Sequence, residues 1–218
     1  MEHDFWLSRW DEGKIGFHQD AVHSDLVEAC EQLLADGPHD VLVPLCGKTH
    51  DLEWIAARGH RVVGVDLSGV ARDAVVERLG GAERDTFGGF ERARMTVGDG
   101  SVTFLVGDVH GLATLDLRFD RVWDRAAMVA LPPDMRGPYV ALLRRLVRPG
   151  GRVLLNHFTY DQTRMDGPPF SVPPAEVEDR YSGWDLQRLR TATHTEGKFI
   201  ERGLTSFTDH LVLATKPG

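Results

Sequence analysis

Charged residues that could bind a ligand stand at the ends of apolar runs, where buried strands would present them together. They are Asp66, Asp108, Asp124 and Arg125. A carboxylate in this position can hold ribose hydroxyls or an adenine edge, and a buried guanidinium can stabilise negative charge that develops during a reaction. Asp124 and Arg125 could equally form a structural salt bridge, because burying an unpaired charge is costly. Asp108 could also simply cap a turn.

The stretch VLVPLCGKTHDLEWIAARGHRVVGVD, at 41–66, shows which elements would position these groups. An apolar run ends in a turn at Gly47, an amphipathic segment follows, and a second apolar run ends at Asp66. In nucleotide-binding α/β folds, an acid roughly 20 residues beyond a glycine turn contacts the ribose. A dinucleotide fingerprint has three glycines, whereas this turn has one and would crowd a diphosphate. The turn therefore favours a nucleoside-type cofactor without phosphates over NAD.

Apolar runs and amphipathic segments alternate along most of the chain, which predicts an α/β fold with a parallel sheet covered by helices on both faces. Two late apolar segments predict a C-terminal hairpin with one antiparallel strand at the sheet edge. Residues 83–95 show no clean period and are interpreted as an irregular insertion. The predicted strands lie at 40–45, 61–67, 102–106, 119–123, 152–157, 186–193 and 209–215, and the predicted helices at 21–34, 50–58, 68–79 and 135–146. This predicts a mixed, mainly parallel, seven-stranded sheet in a single domain, 1–218.

Composition argues against several classes of partner. The chain has 218 residues and a net charge of −8, which disfavours nucleic acid and anionic membranes. No run approaches 18 apolar residues and no signal sequence begins the chain, so we expect a cytoplasmic protein without a membrane span. Cys30 and Cys46 are too few for a disulfide framework, and Cys46 is better explained as a small buried residue than as a nucleophile. The histidines show no metal-binding spacing, and nothing demands more than a monomer.

Aromatic residues are concentrated near the N-terminus. Trp6 and Trp10 are spaced to share one helical face, and Phe17 follows. They could belong to an amphipathic helix that packs on the core. Alternatively, residues 1–20 could form an aromatic cover over a ligand, since termini are ordered only when something ties them down.

Taken together, these motifs resemble the thiopurine S-methyltransferase family of class I S-adenosylmethionine-dependent methyltransferases. The combination of PLCGK, GHRVVGV and GPPF is much more specific than any glycine motif alone. The similar stretches are WLSRW at 6–10, IGFHQ at 15–19, residues 41–68, DRAAMVALPPDMR at 124–136, and YDQTRMDGPPFSVP at 160–173. The resemblance implies a Rossmann-like methyltransferase fold with S-adenosylmethionine as cofactor.

The resemblance also implies roles for individual residues. Asp66 takes the ribose hydroxyls, although the family commonly has Glu there, and Arg125 lies near both cofactor and substrate. The C-terminal stretch Arg202–Thr205 matches the family only loosely. The implied cofactor-binding set is Trp6, Trp10, Leu45, Asp66, Asp108, Val109 and Arg125, and the implied substrate-binding set is Phe17 and Arg125.

The resulting hypothesis is methyl transfer to the sulfur or selenium of a small aromatic or heterocyclic thiol by in-line displacement. Arg125 would stabilise the thiolate or a ring nitrogen and is the candidate catalytic residue. An aromatic thiol ionises near neutral pH, so no strong general base is required. Alternatives are a methyltransferase for another soft nucleophile (halide, thiocyanate, sulfide, selenium or tellurite), an NAD-dependent oxidoreductase, and a cofactor-binding protein without catalysis.

Overall fold

A nine-stranded sheet forms the centre of the computed structural model, which describes residues 3–218. The strands are β1 (Asp40–Pro44), β2 (Arg61–Asp66), β3 (Glu83–Phe87), β4 (Phe90–Val97), β5 (Gly100–Val106), β6 (Phe119–Arg125), β7 (Val147–Thr159), β8 (Asp185–His194) and β9 (Phe207–Thr215). Their order is β3-β4-β5-β2-β1-β6-β7-β9-β8. The five central strands, from β5 to β7, are parallel, and the two strands at each edge pair antiparallel.

Helices pack on both faces of this sheet. They are α1 (His3–Asp11), α2 (Ser24–Glu28), α3 (Cys30–Leu34), α4 (Asp51–Ala56), α5 (Gly69–Arg78), α6 (Pro133–Leu146), α7 (Pro174–Arg180) and α8 (Lys198–Glu201). Three short 3-10 helices lie at Val109–Thr114, Met128–Ala130 and Gln162–Arg164. Among the helices of residues 3–218, none has both the length and the apolar composition needed to cross a bilayer.

The alternation of side chains along β1 explains why two layers of helices are needed. Leu42 belongs to one buried apolar cluster together with Tyr139 of α6. Val41 and Val43 belong to a second cluster, together with Ile55 of α4. Successive residues of a strand point to opposite faces, so a strand that is apolar at every position must be covered on both sides. The predicted α/β architecture is therefore confirmed.

The number of strands differs from the prediction of seven, because residues 83–97 form an antiparallel hairpin instead of an irregular insertion. Its turn uses Gly88 and Gly89, both with left-handed backbone (φ +55° and +88°), which glycine adopts without strain. Strand β3 is almost wholly exposed and carries charges that pair across the hairpin, as between Asp85 and Arg92 at 2.6 Å. Charges protect an exposed sheet edge from aggregation, but they also erase the apolar alternation that identifies a strand.

The helix predicted over 21–34 is interrupted. Ala29 leaves helical geometry, so α2 and α3 are separate short helices. Ser68 caps α5 as expected, with its Oγ accepting from Ala71 N at 3.1 Å.

The C-terminal hairpin is confirmed, with β9 between β7 and the edge strand β8. Its register places Asn156 of β7 beside Leu211 of β9, and Leu211 beside Arg190 of β8. Arg125 of β6 is the partner of Asn156. Residues of four neighbouring strands therefore form one row across the sheet, close to the carboxyl ends of β6 and β7.

Candidate active site

A cavity of about 970 Å³ lies beyond the carboxyl ends of the central strands. Its walls come from the N-terminal segment, the Gly47 turn, the ends of β6 and β7, the loop around Pro168, and the C-terminal hairpin with α8. In open α/β sheets this is where ligands bind, because the parallel strands deliver their loops to one edge. Of the residues predicted from sequence, the structure brings Trp6, Trp10, Phe17, Leu45, Asp66 and Arg125 to this cavity.

Asp66 ties two loops together at one end of the cavity. Its carboxylate accepts hydrogen bonds from Gly47 N (2.8 Å) and Ser68 N (3.0 Å). Burial raises the pKa of this carboxyl group, while the hydrogen bonds from Ser68 and Gly47 oppose the shift. Each carboxylate oxygen has a second lone pair, so the group can still accept from a ligand's hydroxyls.

Two residues of the cavity wall have strained backbone. Leu45 (φ +49°) follows β1, and Ala126 (φ +58°) follows β6. A left-handed conformation costs a non-glycine residue roughly 1–2 kcal/mol, and such strain is concentrated at functional sites. The surrounding structure therefore holds both turns in a backbone conformation that Leu45 and Ala126 would not favour by themselves.

The N-terminal aromatics form one cluster that closes on the glycine turn. Phe17 lies 5.6 Å from the ring of Trp6 and 5.7 Å from that of Trp10, in edge-to-face geometry. Trp10 packs so closely on Gly47 that a Cβ there would lie 3.2 Å from the indole. Trp10 can therefore pack in the wall of the cavity because Gly47 has no side chain.

Arg125 is mostly buried in the middle of the site. Its Nη1 donates to the carbonyl oxygen of Phe17 at 3.3 Å. Burial lowers the pKa of this guanidinium, and the nearby carboxylates of Asp51 and Asp25 oppose the shift. The side chain thus links the sheet to the N-terminal segment and places a positive charge in the partly enclosed cavity.

Asp124 points to the opposite side of β6 and is not the partner of Arg125. It accepts from Tyr139 OH (2.8 Å) and from Met128 N (3.1 Å) in the core. Burial raises the pKa of Asp124 to about 6, against the effect of both hydrogen bonds. The salt bridge considered for this pair does not form, since adjacent strand residues face opposite sides of the sheet.

Asp108 and Val109 lie outside the cavity. Asp108 accepts from His110 N (2.8 Å) at the start of a 3-10 helix, and its other oxygen is 3.1 Å from His3 Nε2. The Val109 side chain is buried in the core. An adenine contact through the backbone at these positions stays a prediction.

Several polar residues of the cavity were not predicted. The strand interiors LLNHF and TDHLV carry Asn156 and Asp209 among buried apolar residues, and this was the available signal. Asp25 is a buried acid in an apolar stripe, a further unused signal. The unpredicted polar residues of the cavity include His23, Asp25, Asp51, Asn156, Arg190 and Asp209.

The Cys46 thiol and clusters of metal-ligating side chains are the remaining groups to consider for chemistry. The Cys46 thiol is buried at the cavity wall, and burial raises its pKa well above the usual value, which keeps it protonated. Within residues 3–218, no group of three or more His, Cys, Asp or Glu side chains could hold a metal ion.

The fold is the one found in class I methyltransferases. TehB from Haemophilus influenzae superposes with a TM-score of 0.65 at 14% identity, covering 98% of this chain and 66% of that protein. A Burkholderia thailandensis 1,6-didemethyltoxoflavin-N1-methyltransferase, solved with S-adenosylhomocysteine, gives 0.63 at 22% identity, covering 99% of this chain and 87% of that one. At such identities the likeness concerns the fold.

Sequence comparison then fixes the family. The thiopurine S-methyltransferase family profile matches residues 1–217. Thiopurine S-methyltransferases from Pseudomonas entomophila and Pseudomonas paraeruginosa are 42% and 40% identical, covering 99% and 94% of this chain and 100% and 94% of theirs. The chain belongs to the thiopurine S-methyltransferase family. It is a methyltransferase with S-adenosylmethionine as cofactor, which sets aside the NAD-dependent oxidoreductase and the non-catalytic binding protein.

Proposed function

We propose that the protein transfers a methyl group from S-adenosylmethionine to the sulfur or selenium of a small aromatic or heterocyclic thiol. The observation that carries this proposal is the buried Arg125 guanidinium in a cavity with aromatic walls. When bound, the cofactor supplies an electrophilic methyl carbon on a sulfonium. The reaction is an in-line displacement, in which the new sulfur–carbon bond forms as the sulfonium carbon–sulfur bond breaks and its electron pair remains on the leaving sulfur.

The residues at one end of the cavity fit the cofactor. Asp66 offers a carboxylate to the ribose hydroxyls, and Leu45 and Trp10 supply apolar wall beside the glycine turn. Aromatic faces attract cations by about 1 kcal/mol or more when water is excluded, so Trp6 and Trp10 suit a sulfonium. The single-glycine turn is filled by the Trp10 indole, which agrees with a cofactor that has no diphosphate.

The other end of the cavity suits an aromatic acceptor. Phe158, Phe199 and Phe207 form a cluster there, with ring centroids 4.6–6.2 Å apart. These side chains bind a ring through apolar area and stacking, whereas a halide or sulfide ion would leave them uncovered. This observation favours a ring-bearing thiol over the smaller soft nucleophiles.

The charge balance of the cavity suits a thiolate. Seven Lys and Arg side chains line it against four Asp side chains. All four of those carboxylates accept hydrogen bonds within the protein: Asp25, Asp51, Asp66 and Asp209. We therefore expect the acceptor thiol to lose its proton to solvent before it binds. The positive charge of Arg125 then lowers the free-energy cost of desolvating the sulfur anion.

A methyl-transfer assay across acceptor classes tests this function. Thiophenol and a heterocyclic thiol are expected to be methylated, with S-adenosylhomocysteine and the thioether as products. Sodium sulfide, iodide, thiocyanate and tellurite serve as the comparison set, assayed at equal concentration. Turnover with that set and none with either thiol would refute the proposed acceptor class while leaving the methyltransferase assignment intact.

We further propose that the cover expected over 1–20, of which the structure describes His3 onward, closes over the site when ligands bind. The support is that Phe17 contacts Arg125, and that Lys198 Nζ of α8 donates to the carbonyl of Gly16, so two chain segments meet over the cavity. Adding S-adenosylhomocysteine is expected to slow proteolysis of this segment, because the ligand stabilises the closed state. Cleavage at Lys14 by trypsin, followed by mass spectrometry, measures this, and equal rates with and without the ligand would contradict the cover.

A further inference from the structure

A second polar group lies at the end of the cavity remote from Asp66. Asp25 of α2 is fully buried, and its carboxylate accepts from Asn156 Nδ2 at 2.7 Å. Arg190 Nη2 lies 2.6 Å from Asp25 Oδ1 and 3.2 Å from Asp209 Oδ2. One guanidinium is thus shared by two carboxylates, and all of these residues line the cavity.

Hydrogen bonding in this group is incomplete. Asp209 is 9% exposed, and its Oδ1 has no hydrogen-bond partner among residues 3–218. Within the same described part of the chain, Arg190 Nε also has no hydrogen-bond partner, whereas Asp25 Oδ1 is in the ion pair with Arg190 Nη2. The unmet atoms are one acceptor, on Asp209, and one donor, on Arg190. Buried polar atoms normally find partners, so the unmet carboxylate oxygen of Asp209 on the cavity wall points to a ligand that brings an N–H or O–H donor.

The charge of the group agrees with this. Two carboxylates face one guanidinium, whereas the rest of the cavity wall carries an excess of cations. His194 Nε2 lies 3.2 Å from Asp209 Oδ2, so this oxygen is close to both His194 and Arg190. The other oxygen, Oδ1, has no hydrogen-bond partner among residues 3–218. A negative local balance attracts donors and repels anionic substituents.

The register of the sheet places this group within reach of an acceptor held at Arg125. Asp209 of β9 stands beside Phe158 of β7, on the face that lines the cavity. Arg125 of β6 and Asp209 are two strand spacings apart, about 10 Å across the sheet. A molecule of one or two rings can therefore reach both, with its sulfur at Arg125 and its far edge at Asp209.

We propose that Asp209, held in place by Arg190 and Asp25, forms the subsite for the end of the acceptor remote from its sulfur, and that this subsite selects a group with N–H donors. An aromatic amine or the N–H edge of a nitrogen heterocycle has the required chemistry. The proposal rests on the proposed function, since it specifies which acceptors that reaction prefers.

The test compares 4-aminothiophenol with thiophenol, two thiols that differ by one amino group. In the Asp209→Asn variant, the ratio of their kcat/KM values is expected to fall by about tenfold relative to the wild type, because one hydrogen bond to a charged acceptor is lost. Asp185→Asn, an exposed acid of the same hairpin, is the matched control and should leave the ratio unchanged. Using a ratio within each variant removes any shared effect of altered stability.

A binding measurement separates this proposal from the proposed function. 4-Aminophenol and phenol are titrated by calorimetry into protein loaded with S-adenosylhomocysteine, which needs no methyl transfer. The wild type should bind the amine more tightly, and Asp209→Asn should lose that preference. If Asp209→Asn does not fold, Asp209→Glu replaces it in the experiment. This variant keeps the charge but moves the carboxylate oxygens, so it should also weaken the preference for the amine over phenol. Failure of the wild type to methylate either thiol refutes the proposed function, whereas equal ratios in wild type and variants overturn the subsite.

Discussion

Replacing Arg125 with alanine is expected to lower kcat for an aromatic thiol by roughly 10²–10³. The affinity for S-adenosylhomocysteine should change far less. Arg125 is the cationic side chain at the carboxyl end of β6, and among residues 3–218 only the carbonyl of Phe17 accepts a hydrogen bond from it, through Nη1. The remaining donors of the guanidinium are available to the acceptor's anion.

The size of this effect follows from burial. Burial lowers the pKa of Arg125. The guanidinium therefore loses part of its hydration in the folded protein, which has a free-energy cost. A fixed charge in a water-excluded cavity stabilises a thiolate and the transition state much more than the same charge in water would. Without it, the sulfur anion must be desolvated with no compensating partner.

Two further variants sharpen the measurement. Arg125→Lys keeps the charge but loses the planar fork, and we expect an intermediate kcat. Arg118→Ala removes an exposed arginine just before β6 and should leave kcat unchanged. Initial rates at saturating cofactor and calorimetric titration of S-adenosylhomocysteine give the two quantities. An Arg125→Ala variant with wild-type kcat would rule out the catalytic role.

The central strands were predictable because each of them is apolar on both faces. Strands β1 and β2 match the predicted limits to within one residue, and the turn at Gly47 and the cap at Ser68 were evident from residue type. The hairpin of β3 and β4 was not, because its outer strand is charged and exposed on both sides. The alternation of apolar and polar residues reflects which side chains are buried. A strand that buries few side chains therefore lacks the apolar pattern by which strands are predicted.

The site divides in a similar way. The Gly47 turn, Asp66 and Arg125 were identified because they follow apolar runs, and a strand end is where such folds place their ligands. Asp25 and Asp209 were missed because they meet only in three dimensions, through antiparallel pairing of β9 with β7 and the packing of α2 on that face. Asn156 could have been suspected from its place inside a buried strand, since a buried amide needs a partner.

Replacing Asp66 with alanine is expected to weaken S-adenosylhomocysteine binding by about a hundredfold, with a matching rise in the KM for S-adenosylmethionine. Two losses combine in this variant. The proposed hydrogen bonds from the ribose hydroxyls disappear, and Gly47 N and Ser68 N lose the carboxylate that joins their loops. Because the reacting groups lie elsewhere in the cavity, kcat at saturating cofactor should fall much less than the affinity.

The length of the side chain gives a second comparison at this position. Asp66→Asn keeps one acceptor oxygen and should bind with intermediate affinity. Asp66→Glu keeps the carboxylate on a longer side chain and should retain most of the affinity, although Gly47 and Ser68 must adjust to it. Asp40→Ala, at the opposite end of β1, removes a carboxylate that pairs with Arg61 and should leave cofactor binding unchanged. Calorimetric titration of S-adenosylhomocysteine into all four variants measures these affinities. Equal affinities of Asp66→Ala and Asp40→Ala would contradict the ribose role, because loss of a carboxylate far from the cavity cannot remove a contact inside it.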